Sequence, residues 1–310
     1  MSNTSRAAVE TDNVVVGVDG SAASVNAVRY AVREAARTGS GLRVLHVLPE
    51  YAPNTYPIPA EEVLATGREV LRSVLAEVGE IDPGVEVKRV LRRAARVPGL
   101  VSYARGARLL VVGADRRTTV ARLLTGNTST GVAASSAAPV VAVPETWVPD
   151  DRKGVVLVGV KNPAHATEVL GEAFALAGQR GDRLLVVHAW KLASGYDDIV
   201  VDRVAHEAWD DRARSELRNL VADWTPAYPE VEVELRVVHD QAAHALVEAS
   251  GEADEVVLVR RAHGIPAATH LGSTARAVLR ESACPVRVVP PGHGVAVPEL
   301  VLEDAGAIRK

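Results

Sequence analysis

Asn13-Val14-Val15-Val16-Gly17-Val18-Asp19-Gly20-Ser21 is the stretch on which the fold turns. An unbroken apolar run from Val14 to Val18 reads as a strand buried on both faces, which is the habit of parallel sheets. The Asp, Gly and Ser that follow are turn and helix-start residues. The same pattern returns later in the chain. Val16-Gly17-Val18 recurs as Val158-Gly159-Val160, and Leu45-His46-Val47 as Val187-His188-Ala189, both at an offset of 142. Val85-Glu86-Val87 then matches Val231-Glu232-Val233, Leu100-Val101 matches Leu246-Val247, Gly126 matches Gly272 and Pro139-Val140 matches Pro285-Val286, all at 146. A fixed period of this length means a duplicated unit. The change of offset places a four-residue insertion between the second and third strands of copy two.

Working outward, each copy alternates strand and helix. In copy one, strands are expected at 13–18, 42–48, 85–91, 109–113 and 140–143, with helices at 22–37, 61–78, 97–104 and 128–135. Gly39 and Gly41 are expected to end the first helix. Copy two repeats the plan, with strands near 155–160, 184–189, 231–238, 256–259 and 286–289. Such alternation gives a doubly wound α/β fold with right-handed crossovers and helices on both faces. The expectation is two tandem five-stranded parallel-sheet domains, residues 1–148 and 149–310, that superpose on one another; one continuous large sheet, or an antiparallel sandwich, would refute it. The boundary falls in Pro144–Lys153. Residues 291–310 read as a tail.

Composition narrows the function classes. The chain has 310 residues and a net charge of −4, so no overall basic excess matches it to a nucleic-acid backbone. Its hydrophobic fraction is 47% but only 4% is aromatic, so the cores must be built from Val, Leu, Ala and Ile. A single cysteine, Cys284, excludes an intramolecular disulfide. There is no apolar run near the ~20 residues that span a bilayer, and the polar N-terminus has no signal-type core. A cytoplasmic protein with no membrane and no nucleic-acid partner is expected.

Ligands of doubly wound sheets bind beyond the carboxyl ends of the strands at the switch point. After strand one stands Asp19, a carboxylate able to accept hydrogen bonds, or a turn residue beside a helix cap. After strand four stand Gly113 and Arg116, then nine residues later Gly126, Asn127, Thr128 and Ser129. A glycine at a helix start, with free N–H groups and hydroxyls, can cradle phosphate; it can equally be a capped loop. No Walker A lysine motif, Gly-x-Ser-x-Gly elbow or nucleophile–base pair is present, so no enzyme is expected.

Taken together, Val16-Gly17-Val18-Asp19-Gly20-Ser21, a second strand ending His46-Val47, the glycine loop and Ala138-Pro139-Val140-Val141 resemble the universal stress protein family. Leu271-Gly272-Ser273-Thr274 and Ala283-Cys284-Pro285-Val286 carry the resemblance into copy two. It implies an adenine-nucleotide α-hydrolase-like fold and a tandem stress-response protein binding ATP, with Mg on the phosphates. The implied nucleotide site is Gly17, Asp19, Val47, Gly113, Arg116, Gly126, Asn127, Thr128 and Ser129. It also implies that the last strands, near Val140 and Val286, pair as an intramolecular pseudo-dimer, and that two such chains associate further as a homodimer. Arg116 and Asn127 depart from the family's glycine and Ser/Thr. Arg116 either clamps phosphate or fills the pocket, and the filled pocket, hence weak ATP binding, is expected. In copy two Lys161 replaces Asp19, and Val259 and Ala262 replace the early glycines, so that copy is expected to be degenerate for ATP. A nucleotide-free interaction scaffold of the same fold is the alternative.

His46 and His188 read as buried structural histidines. His239, His244, His263 and His270 lack a zinc-site frame. Cys284 reads as a small buried hydrophobe. Asp197, Asp198, Asp202, Asp210 and Asp211 form a solvated face, and Arg92, Arg93 and Arg96 a surface cluster.

Overall fold

The computed structural model describes residues 12–49, 60–79, 81–114, 128–161, 166–191, 206–260 and 271–293. Copy one runs β1 (Asn13–Val18), α1 (Ala22–Thr38), β2 (Gly41–Leu48), α2 (Ala60–Val78), β3 (Val87–Arg93), α3 (Arg96–Tyr103), β4 (Leu109–Ala114), α4 (Thr128–Ser135) and β5 (Val140–Pro144). Copy two runs β6 (Val155–Gly159), α5 (Thr167–Arg180), β7 (Arg183–Trp190), α6 (His206–Ala222), β8 (Val233–His239), α7 (Ala242–Ala249), β9 (Glu255–Val259), α8 (Ser273–Glu281) and β10 (Val286–Val289). The extra four residues of copy two fall between β7 and α6. Fifteen residues lie between Trp190 and His206, against eleven between Leu48 and Ala60.

Each copy is the expected five-stranded parallel sheet, but the two sheets are not separate. The order is β3-β2-β1-β4-β5-β10-β9-β6-β7-β8, one ten-stranded sheet. The expectation of separateness is corrected here, and the cause is the expected pairing of the last strands. β5 and β10 run antiparallel, with Val286 opposite Ala142, Arg287 opposite Val141 and Val288 opposite Val140. Each last strand would otherwise present an open hydrogen-bonding edge, and pairing satisfies both. The remaining edges, β3 and β8, carry Lys88, Arg89, Arg92, Arg93, Glu234 and Arg236 and are only part-buried, which blunts them against further pairing.

Burial follows the apolar run. Every residue of β1 is buried. α1 starts at Ser21, whose side chain accepts from the Ser24 N–H, and ends at Gly39 with φ 66°. Gly41, expected to help end this helix, opens β2 instead. Gly181 repeats the left-handed stop after α5 with φ 67°. One face of the sheet has a single apolar core that runs through both copies, including Leu45, Leu110, Val140, Leu157, Val256 and Val288. The other face has two cores. Val14, Val28 and Leu109 belong to copy one's, and Phe174, Trp224 and Val257 to copy two's.

Between those two cores lies a buried ion network. Arg287 of β10 donates from Nε to Glu255 at 2.6 Å and from Nη1 to Glu172 at 2.8 Å. Its Nη2 reaches Glu34 of α1 at 3.3 Å. Arg180 of α5 donates to the other oxygen of Glu255 at 2.7 Å, and the Tyr30 hydroxyl donates to that oxygen at 2.6 Å. Arg37 closes the network on Glu34 at 2.6 Å. Glu34, Glu172 and Glu255 balance Arg37, Arg180 and Arg287. Burial works to raise the Glu255 pKa, but Arg180 and Arg287 outweigh it and bring it down to about 2.

Candidate functional site

In copy one the strand order turns back between β1 and β4, so the switch point lies beyond Val18 and Ala114. Asp19 stands at that point. Its Oδ1 accepts from the Ser21 N–H at 3.1 Å and from the Ser21 hydroxyl at 2.6 Å. The Ser21 oxygen in turn accepts from the Ser24 N–H at 3.2 Å. The turn residue and the candidate ligand acceptor are therefore one group, because the carboxylate that orders the helix start through Oδ1 also stands at the switch point. Burial works against ionisation of Asp19, but the Ser21 bonds and the charge of Arg96 hold its pKa below the ordinary carboxylate value. Arg96, read from the sequence as part of a surface cluster, thus acts on the candidate site. No spacing pattern connects it to Asp19; only the packing of α3 beside β1 does.

The glycines and Val47 have packing reasons of their own. A Cβ on Gly17 would meet Leu100 Cδ2 at 2.6 Å, and one on Gly159 would meet Leu246 Cδ1 at 2.8 Å. The two copies thus use the same device, a glycine in the first strand that admits a leucine of the helix after the third strand. A Cβ on Gly113 would lie 2.6 Å from the backbone carbon and 2.7 Å from the carbonyl oxygen of Ala23. Gly113 therefore lets the first turn of α1 sit directly on β4. Val47 is buried and lies against Gly99 of α3. Thr128 and Ser129 open α4, with Ser129 buried. Arg116, Gly126 and Asn127 lie outside the described residues.

Copy two differs where its sequence does. Val259 stands in place of Gly113, and α5 starts at Thr167, three positions later than an offset of 142 from Ala22 puts it. A valine leaves no room for the helix turn that Gly113 admits. Beyond β6, β7 and β9 this copy holds a cavity of about 350 Å³. Its walls are largely apolar, including Val187, Leu246 and Leu258, and its rim carries Lys161, Arg276 and the start of α8.

The histidines settle into matched roles. His46 Nδ1 lies 2.8 Å from the Val18 carbonyl and His188 Nδ1 2.9 Å from that of Val160. A carbonyl only accepts, so both rings carry Nδ1–H and tie the end of the second strand to the first. Both are part-buried rather than buried. Asp240, just ahead of α7, is grouped with His244 and Glu248 of that helix. The Asp240 bond and both carboxylate charges raise the His244 pKa, and the group reads as an exposed ion ladder. Asp210, expected on a solvated face, accepts from Trp190 Nε1 at 2.8 Å. Cys284 is buried, and burial pushes its thiol up to about 12.

With this geometry in hand, comparison with known proteins becomes specific. The Universal stress protein family pattern matches residues 10–144 and again 154–290. The chain belongs to the universal stress protein family. A universal stress protein of Mycobacterium tuberculosis is 30% identical over 285 residues, covering 89% of this chain and 96% of its own. One of Mycolicibacterium smegmatis is 29% identical over 290 residues, covering 90% and 97%. The crystal structure of a universal stress protein from Archaeoglobus fulgidus shares the fold with a TM-score of 0.66 at 18% identity, covering 91% of this chain and 97% of that one. The duplicated, doubly wound architecture is therefore the family's tandem form. Among the described residues no helix is long and apolar enough to cross a membrane.

Proposed function

We propose that this universal stress protein is a regulatory, non-enzymatic protein whose copy one binds an adenine nucleotide and whose copy two does not. The observation that carries the reading is Asp19. It is a carboxylate at the switch point whose pKa is held below the ordinary value, so it is an acceptor-only group, with Oδ1 oriented by Ser21. Ribose hydroxyls and an adenine amino group are donors that such an oxygen recognises. Lys161, at the same place in copy two, is donor-only and cannot do this. Thr128, at the start of α4, would meet the phosphate end, where a bound nucleotide brings negative charge and a divalent cation such as Mg.

The test has two parts. Protein purified from cells is denatured and its supernatant read by mass spectrometry for nucleotide. ATP is then titrated by calorimetry into the wild type, Asp19→Ala and Lys161→Ala. One site per chain is expected, weakened by Asp19→Ala by roughly 1.5–3 kcal/mol, the worth of a hydrogen bond to a charged group, and indifferent to Lys161→Ala. Two equivalent sites would refute the asymmetry. Arg116→Gly in the same series is expected to improve binding by opening the loop. A loss instead would make Arg116 a phosphate clamp.

A second reading, a nucleotide-free scaffold, is favoured by a specific observation. Gly17, Val47 and Gly113 are all accounted for by contacts with Leu100, Gly99 and Ala23. Absence of nucleotide in the supernatant together with no ATP heat would select it.

A further inference from the structure

The cavity in copy two is of a size that holds a small molecule, and its chemistry is the reverse of copy one's switch point. Among the described residues no carboxylate lines it. Two cations do, Lys161 and Arg276, and among the described residues neither makes an ion pair. The start of α8 supplies a third source of positive potential. Gly272 caps it with no side-chain hydrogen bond, and the first helical bond is Arg276 N–H to the Gly272 carbonyl. The N–H groups of Ser273, Thr274 and Ala275 come ahead of that bond and have no acceptor inside the helix. Behind this polar rim the walls are aliphatic, with Leu246, Leu258 and Leu271 buried in the core.

We infer that this pocket binds a small organic anion, an apolar body ending in a phosphate or carboxylate, with the headgroup held by Lys161, Arg276 and the first turn of α8. The aliphatic walls take the body, which the hydrophobic effect drives in. The two unpaired cations and the open N–H groups take the charge. A nucleoside is not selected, because Lys161 offers no acceptor to it. The inference is independent of nucleotide binding by copy one.

Phenyl phosphate and phenylacetate are the probes, with benzyl alcohol as the neutral control, each titrated into the full chain by calorimetry. One or both anions should bind once per chain and the alcohol should not; which anion is tighter identifies the headgroup. Lys161→Glu should weaken binding about tenfold or more, as for loss of a charge-assisted contact, whereas Asp19→Ala should leave it unchanged. Gly272 has open space where a Cβ would go. Gly272→Asp is therefore sterically free and places a carboxylate over the α8 N–H groups. It should abolish anion binding while thermal stability is unchanged or raised, since aspartate is a good helix cap. The inference is overturned if neither anion binds at millimolar concentration, if the alcohol binds as well as the anions, or if Lys161→Glu and Gly272→Asp leave anion binding unchanged.

Discussion

At the scale of the residue, Gly113 and Gly17 show how one letter in a sequence supports two physical explanations. Glycine is needed wherever something approaches the backbone closely, and a ligand phosphate and a neighbouring helix make the same demand. From the sequence Gly113 reads as part of a phosphate loop; in the structure the approaching group is the Ala23 backbone. The two glycines also differ in a way that can be measured. Gly113→Ala would drive a methyl into main-chain atoms of α1, which cannot move without the helix. Gly17→Ala would meet the end of the Leu100 side chain, which can change rotamer. Urea unfolding should therefore give a loss of roughly 1–3 kcal/mol for Gly113→Ala, in the range of overpacked sites, and a smaller one for Gly17→Ala. Equal losses would mean that α1 yields as readily as a leucine side chain. Asp19 was legible in its position and charge. Its bonds to Ser21 and its electrostatic link to Arg96 were not, because neither follows from spacing along the chain.

The element scale is where the sequence spoke most directly. Apolar runs placed the strands to within a few residues, because buried parallel strands have no polar face to confuse the reading. β3 was expected at 85–91 and lies at Val87–Arg93. It is an edge strand whose charged, part-exposed residues weaken the hydrophobic signal that marks its ends. Helix starts depend on single side chains, and in copy one those expected at 22, 61, 97 and 128 lie within one residue of Ala22, Ala60, Arg96 and Thr128. α1 begins where the Ser21 oxygen accepts from the Ser24 N–H, and the same hydroxyl donates its O–H to Asp19. Ser21→Ala removes both bonds. It should cost about 1 kcal/mol, the usual worth of a cap, and should also raise the Asp19 pKa toward its ordinary value. The sign follows from linkage. A carboxyl whose pKa is depressed in the folded state adds stability above its unfolded value, and that contribution fades as pH falls through the folded value. The stability difference between wild type and Ser21→Ala should therefore shrink in acid, below the ordinary aspartate value of 3.8. A difference independent of pH would show that Asp19 gains nothing from Ser21.

At the scale of the whole molecule, joining two copies through β5 and β10 needs a reason for this pairing rather than β5 with another β5. The two faces of the sheet give different answers. On one face a continuous apolar core holds the copies together without specifying which strand meets which. On the other, the buried ion network joins α1 of copy one to α5, β9 and β10 of copy two. It cannot form between two identical copies, because the 146 offset puts Leu109 where copy two has Glu255 and Val141 where it has Arg287. Those two charges inside otherwise apolar strands were a visible anomaly in the repeat, but their partners come from helices that no offset relates to them. Removing Glu255 alone, as Glu255→Leu, leaves Arg180 and Arg287 buried with too little negative charge. The expected loss is about 3–5 kcal/mol, typical of breaking a buried pair. Adding Arg287→Val restores the balance, with Glu34 and Glu172 left against Arg37 and Arg180, and gives both positions the residues copy one already uses. The double variant should therefore recover most of the loss, a coupling that a double-mutant cycle reads directly. Its pH profile supplies the second check. Glu255 is depressed to about 2 from an ordinary 4.5, so in the wild type its contribution is complete above pH 4.5 and drains away as pH falls toward 2. Urea midpoints should fall more steeply over that window for the wild type than for the double variant. If the two profiles run parallel and Glu255→Leu is as stable as the wild type at about neutral pH, the network does not hold the copies together, and the shared apolar face alone does.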